Sequence, residues 1–462
     1  MKRFPESVGR AGVLALSACL FGCVTANAQP PADKPADGTL GRVLFGPGSN
    51  LKLGGWVEVG AVVKDTMGQD SGLGNSPMLL NRDNWLQLNQ ATLYFEKGIQ
   101  SNIIPRVTPT PAPVFKKYSF GFYADILVGR DGQPMQTYGY DTGLGPNKSG
   151  NNDPTKAASD KRLFLVQPQA YLQAYLPWGL GTAMMLGNFF SPVGNEIGYN
   201  LQPGPNIFYS RTYSFTSAPI KHTGLLIDTN LVKSASSGLL AAEFGLVQGW
   251  SNFKDNNNQP AYIGALRYRT PTMATWIDWE FITGASQTNI ERLLADPSGV
   301  EANIPVTRVI SPRNQNKTQH FVTVSHDWGT EWHLVLGANY GRQEGDGAAD
   351  TLVVPGMAGK FTGATWGGAE AQLRHSFSST LSVAGRVEIF SDRDGFALFP
   401  NTLAAGDFTE VTLGAQWRAH KSLLIRPEIR GDRQSNAKGL LAFNNGKSEA
   451  QTSFNVDVVY YF

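Results

Sequence analysis

Apolar and polar residues alternate along this chain with a period of two, over one segment after another. In 452–462, Phe454, Val456, Val458, Tyr460 and Phe462 are apolar or aromatic, and Ser453, Asn455, Asp457 and Tyr461 stand between them. Such alternation predicts a strand with one apolar and one polar face. The same reading places strands near 51–64, 85–97, 117–129, 164–176, 180–190, 220–230, 239–251, 261–270, 273–284, 318–327, 331–342, 364–376, 380–392, 408–418, 421–433 and 452–462, about sixteen in all. Each is long enough to cross a bilayer as a tilted strand, which takes roughly 9–11 residues.

The faces can be assigned within each segment. In 421–433, Leu423, Ile425, Pro427 and Ile429 oppose Arg426, Glu428, Arg430 and Asp432. In 380–392, Leu381, Val383, Val387 and Ile389 oppose Ser382, Arg386, Glu388 and Asp392. In 408–418 we assign Phe408, Val411, Leu413, Ala415 and Trp417 to the outer face and Glu410, Thr412, Gln416 and Arg418 to the inner one. Periodicity alone does not say which face is wet. Size does: about sixteen strands close around a lumen too wide for side chains to fill, so the polar face meets water and the apolar face meets lipid.

The connectors alternate in length. Pro177-Trp178-Gly179, Thr270-Pro271-Thr272, Trp328-Gly329-Thr330, Ser378-Ser379 and Ala419-His420-Lys421 are tight turns, and the polar stretches 131–163, 191–219, 285–317, 343–363, 393–407 and 434–451 are long loops. An up-and-down antiparallel transmembrane β-barrel has this asymmetry, with short periplasmic turns and long extracellular loops. A β-sandwich with Greek-key connections does not. One connector departs from the rule: 100–116 falls where a short turn belongs, yet it contains Pro105, Pro109, Pro111 and Pro113. Proline at every second position of 109–113 predicts extended, solvated chain.

The first 28 residues have the form of an export signal. Lys2, Arg3 and Arg10 precede the apolar stretch 11–24, and Ala26-Asn27-Ala28 is a small-x-small cleavage site. We expect cleavage after Ala28, a short periplasmic segment at 29–50, and a barrel from 51 to 462. Both cysteines, Cys19 and Cys23, fall in the signal, so the mature chain would hold neither disulfide nor thiolate metal site. Removing Lys2, Arg3 and Arg10 from 39 basic residues and Glu6 from 37 acidic ones leaves 36 of each. That balance, without a basic block, argues against nucleic acid as a partner. The composition of the whole chain, with 51 glycines and 16% charged residues, suits a large β protein.

Four segments resemble the β-barrel porins of the OmpL-like type, bacterial outer-membrane porins. They are the run Leu88-Asn89-Gln90-Ala91-Thr92-Leu93-Tyr94-Phe95-Glu96, the run Tyr118 to Gly129, the run Gly187 to Glu196 continuing to Phe208-Tyr209-Ser210-Arg211-Thr212-Tyr213, and Leu423 to Arg430 with the terminal strand. The resemblance spans nearly the whole mature chain and implies passive transport of small solutes through an outer-membrane channel. The expected partners are outer-membrane lipid, small hydrophilic solutes and, through the C-terminal strand, the barrel-assembly machinery. A homotrimer is left open.

Candidate pore chemistry follows from the inner faces. Asp125, Glu243, Arg267, Arg269, Asp278, Glu280, Glu370, Arg374, Arg386, Glu388, Glu410, Arg418, Arg426, Glu428, Arg430 and Asp432 are expected to face the lumen. We take Arg374, Arg386, Glu388, Arg418, Arg426, Glu428, Arg430 and Asp432 as pore-lining charges, whose fields partly cancel and so give weak selectivity. Loop 191–219 is the candidate constriction, with Glu196, Tyr209 and Arg211 as its candidate residues. Phe462 is the candidate assembly signal, because a closing strand places its terminal aromatic at the membrane interface. Catalysis is not expected: Ser325, His326 and Asp327 sit beside the turn at Trp328, away from the extracellular rim. No metal or cofactor is expected either, since Asp153, Asp255 and the Asn256-Asn257-Asn258 run read as solvated loop. The alternative from a different class is a non-conducting structural or surface-binding barrel. The 29–50 segment is too short and too rich in Pro and Gly to plug one.

Overall fold

The computed structural model describes residues 41, 44–46, 49–64, 86–132, 135–137, 139–141, 163–196, 206–255, 257–286, 314–345, 349–350, 359–360, 362–398, 404–439, 441–444 and 446–462. The expected signal at 1–28 and most of 29–50 lie outside them. The strands are β1 Leu51–Lys64, β2 Gln87–Lys97, β3 Ser119–Gly129, β4 in two pieces (Phe164–Val166 and Ala170–Leu176), β5 Thr182–Phe190, β6 Lys221–Ser234, β7 Gly238–Val247 and β8 Ala261–Arg269. They continue as β9 Thr275–Ala285, β10 Asn316–Trp328, β11 Trp332–Glu344, β12 Gly363–Ser376, β13 Leu381–Asp392, β14 Ala404–His420, β15 Leu423–Gly439 and β16 Ala450–Tyr461. The break in β4 surrounds Pro168, which has no N–H to give the ladder.

Every strand pairs antiparallel with its sequence neighbour, and β16 pairs with β1 from Trp56↔Tyr461 to Lys64↔Ser453. The sheet is therefore a closed barrel of sixteen strands, as the alternation predicted. Closure leaves no edge, which is what lets a sheet exist in hydrocarbon. The final residue completes the seam: Gly55 N donates to Phe462 O and Phe462 N to Gly55 O, both at 3.0 Å. Gly55 has to be glycine, because a Cβ there would collide with Thr92 O and come 2.7 Å from the Phe462 ring.

The outer face is apolar around the circumference. Leu172, Ile389 and Leu413 are each more than 60% exposed, which in water would be a large hydrophobic patch. Tyr118, Phe120, Trp178, Trp328, Trp332, Phe377, Trp417 and Tyr460 are all exposed and all sit at the end of the barrel that carries the short turns. This ring is the aromatic belt that marks a membrane interface. Phe408 corrects the sequence assignment. It shares the parity of Glu410 and Thr412, faces inward and is buried against Tyr213, at 5.4 Å between ring centroids.

The barrel interior is occupied by chain as well as by side chains. Met185, Phe189, Leu226, Val247, Ala261, Ile263, Ile282 and Phe321 form an apolar cluster on the inner wall, together with Val193 from the loop after β5. The proline-rich connector is also inside. It is not extended solvated chain: Ile103–Ile104 and Thr108–Pro109 form a small hairpin whose Ile103 packs on Ala183 and Ala241 of the inner wall.

Closure generates a direct expectation. Deleting Phe462, or replacing Gly55 with Val, should reduce the folded, heat-modifiable form on electrophoresis. Wild-type amounts of folded barrel in both variants would show that the seam does not control assembly.

Candidate functional site

The candidate site is the lumen, and its geometry is set by the loop after β5. The loop's described parts, 191–196 and 206–220, turn inward and meet β12, β13, β14, β15 and β1. Backbone carried into a barrel loses its water, so its polar groups need protein partners. The inner-face charges supply them. Arg426 Nη1 donates to the carbonyls of Asn206 (2.8 Å) and Phe208 (3.2 Å). Arg386 Nη1 reaches Ser210 O at 3.2 Å, and Arg430 Nη1 reaches Arg211 O at 2.7 Å. The carboxylates take the opposite half. Glu428 accepts from Tyr209 N (2.9 Å) and Ser210 N (3.1 Å), and Glu388 accepts from Tyr213 N (2.6 Å) and Ser214 N (2.7 Å). Bonds of this kind to an ionised group are about twice as strong as neutral ones.

The wall charges also pair among themselves. Arg386 binds Glu410 through Nε at 2.7 Å and Nη2 at 3.0 Å. Arg430 bridges Glu410 (2.9 Å) and Asp432 (2.7 Å). Arg426 reaches Asp457 and Glu58. Tyr213 Oη donates to Asp432 at 2.7 Å.

This arrangement revises the expected pore lining. Arg386, Glu388, Arg426, Glu428, Arg430 and Asp432 do face inward, but each is at most 3% exposed. They hold a loop rather than a column of water. Arg374 on β12 and Arg418 near the foot of β14 are only partly covered, and Arg374 Nε and Arg418 Nη1 have no hydrogen-bond partner among the described residues.

Two of the three constriction candidates are likewise held by hydrogen bonds, and the third, Arg211, is buried with its Nε and Nη1 unpaired among the described residues. Glu196 accepts from Thr212 N (2.9 Å) and Thr212 Oγ1 (2.8 Å) and pairs with Arg386 at 3.2 Å. Tyr209 Oη accepts from Asn89 Nδ2 at 2.8 Å and is buried. The Arg211 side chain is buried over the Phe215 ring at 5.8 Å. Tyr199, Pro203 and Pro205 of the same loop lie outside the described residues. Asp131, in the short turn after β3, accepts amide hydrogens from Asn89 and Gln90. Burial still lifts its carboxyl to about 7.

A cavity of about 150 Å³ remains beside the loop. It is lined by Asn195, Glu196 and Phe208 from the loop and by His333, Gln372 and Arg374 from β11 and β12. On the opposite wall, Arg267 pairs with Glu243 (3.5 Å) and Glu280 (2.8 Å) and donates to Pro192 O at the root of the loop. Arg269 pairs with Asp278. Glu370 accepts from Asn195 Nδ2 at 2.7 Å, and Asp125 accepts from Gln169 N at 2.7 Å.

Ser325, His326 and Asp327 do not converge. His326 meets Thr275 Oγ1 at 2.8 Å, while Asp327 pairs with His333 at 2.7 Å on the other face. Asp255 spends an oxygen on the N–H groups of Asn257 and Asn258, an ordinary local turn; Asp153 lies outside the described residues. Sequence reasoning missed the hairpin at 103–109. Its signal was the apolar Ile103-Ile104 and Val107 on either side of Pro105-Arg106, in a stretch read as solvated.

The network predicts how the loop would be freed. In the double variant Glu388→Gln with Glu428→Gln, each side loses a carboxyl oxygen that accepts from the loop's N–H groups, at about 1 kcal/mol or more per bond left unmade. Protease should then cut within 191–220 of the folded barrel, where the wild type resists. Equal resistance would mean that the loop is held by its apolar contacts alone.

A sequence model of the family described as "Putative beta-barrel porin-2, OmpL-like" matches residues 50–462. No curated protein matches the chain. Several solved structures are similar. The outer membrane channel DcaP of Acinetobacter baumannii has 11% identity and a TM-score of 0.47, over 89% of this chain and 97% of that one. In-vitro folded OmpT of Vibrio cholerae in its trimer form has 8% identity and a TM-score of 0.48, over 89% and 99%. OmpF of Salmonella typhi in complex with daunomycin has 11% identity and a TM-score of 0.48, over 89% and 97%.

Proposed function

The chain belongs to the OmpL-like beta-barrel porin-2 family, an outer-membrane channel family, and from that membership we propose that it forms a narrow water-filled pore for passive diffusion of small hydrophilic solutes. The observation that carries the reading is the cavity between the inward loop and β11–β12. It is lined by Asn195, Glu196, Gln372, Arg374 and His333, in a barrel whose outer face is apolar. Polar walls let a hydrated solute exchange hydrogen bonds as it passes, and low-dielectric surroundings sharpen the field of any uncompensated charge. Glu196 is offset by Arg386; Arg374, whose charge the neighbouring Asp327 offsets only in part because it also pairs with His333, biases the path weakly toward anions. The exposed apolar belt is the surface that would meet outer-membrane lipid. No step of this function calls for a catalytic group or a cofactor.

The tight packing of the lumen favours the second reading, a closed structural barrel. Planar-bilayer recording separates the two: discrete steps of small conductance are expected, and a silent, folded barrel would favour the closed form. Arg374→Glu should shift the reversal potential under a salt gradient toward cations while leaving folding intact, and an unchanged potential would remove Arg374 from the path. By contrast, Arg426→Glu with Arg430→Glu should lower folded yield, because two buried carboxylate networks would lose their cations, at about 3–5 kcal/mol each.

Export by a signal cut after Ala28 belongs to the same proposal. Intact mass of protein purified from the outer membrane should correspond to a chain that begins at Gln29. A diacylglyceryl-modified chain that begins at Cys23 would instead make this a lipid-anchored barrel.

A further inference from the structure

We infer that the 98–118 connector is a resident plug, which enters the barrel from the periplasmic end and closes the β4–β8 side of the lumen. This confines the path to the β10–β13 side. The inference rests on the channel reading above and adds an element to it.

The other described connectors at this end span only 177–181, 235–237, 270–274, 329–331, 377–380 and 421–422. This one is long enough to fold back into the barrel. Its tip is a tight turn in which Val107 N donates to Ile104 O at 3.1 Å, with Pro105 and Arg106 at the centre. Arg106 has φ +67°. Proline followed by a left-handed residue is the type II pattern, in which the second position favours glycine or asparagine. A strained arginine there implies that its side chain and N–H are needed where they point.

They point into the wall. Arg106 N donates to Glu243 Oε2 at 3.0 Å. Its guanidinium donates to Gln169 Oε1 (2.9 Å) and Phe190 O (3.0 Å) and lies 5.4 Å from the Tyr171 ring centroid. Arg269 reaches across to Thr108 Oγ1 (2.8 Å) and Val107 O (3.0 Å). At the base, Asn102 Nδ2 donates to Leu180 O at 2.9 Å. A Cβ on Gly181, at φ +104°, would collide with Asn102. Ile103 is 2% exposed beneath the hairpin, while Ile104 and Val107 face outward from it at 49% and 42%. The hairpin thus has a bonded wall side and an open side. Its Arg106 contact at Phe190 O lies at the end of β5, next to the root of the inward loop.

The test uses thiol access and current in parallel, in full-length protein with Cys19 and Cys23 exchanged for serine. Ala241, 3% exposed and packed on Ile103, becomes the reporter position through the substitution Ala241→Cys. In a companion variant residues 103–109 give way to Gly-Gly, which can span the gap because Thr110 N already bonds Asn102 O at 3.1 Å. Retained heat-modifiable mobility checks that both fold. A water-soluble maleimide should label the introduced thiol about tenfold faster without the hairpin, and single-channel conductance should rise. Arg106→Gly, which keeps the turn and removes the guanidinium, should raise labelling by a smaller factor. Equal labelling with and without the hairpin would overturn its placement on the wall. Faster labelling with unchanged conductance would overturn its role in confining the path. Faster labelling in a barrel that carries no current in any form would support the plug and sink the channel reading instead.

Discussion

A sheet that crosses lipid has no water to satisfy an unpaired edge, so its first and last strands must find each other. Here that demand is met by the ladder between β16 and β1 and by the reciprocal bonds of Phe462 with Gly55. The rest follows from closure. Once sixteen strands form a ring, alternate side chains are committed to lipid or lumen. The ring is also too wide for the inward side chains alone to fill. The interior is then a space that the chain can leave wet or occupy with its own backbone.

This chain occupies much of it. The loop after β5 and the hairpin at 103–109 enter from opposite ends, and each brings polar backbone into a dry place. The solution is the same twice. Charged side chains on the wall bond the incoming backbone: Arg386, Arg426 and Arg430 take its carbonyls, and Glu388 and Glu428 its N–H groups. Glu243 and Arg269 do the same for the hairpin. A buried ion pair contributes little net stability by itself, since desolvation offsets most of the attraction. What such groups supply is position. An arginine that loses its loop carbonyl is left with an unmet donor, and the loop therefore has one seat. What these inserts leave open beside Glu196 is a small cavity lined by His333, Gln372 and Arg374.

The strand count, their approximate bounds and their two faces were all legible in the alternation of single residues, because a strand's side-chain period is a local property of the backbone. The alternation of short and long connectors was equally legible, and so was the inward parity of Arg426, Glu428, Arg430 and Asp432. Phe408 was misassigned for want of strict parity: an aromatic residue suits lipid and a packed loop alike. What covers the inner face was not legible, because inward arginines and glutamates look the same whether they line water or clamp a backbone. That choice depends on contacts between residues some two hundred positions apart, such as Tyr209 with Glu428 and Tyr213 with Glu388, and only the closed barrel brings those partners together. The proline-rich stretch marks the same boundary: its composition described a chain without regular structure, and the fold decided that this chain lies inside.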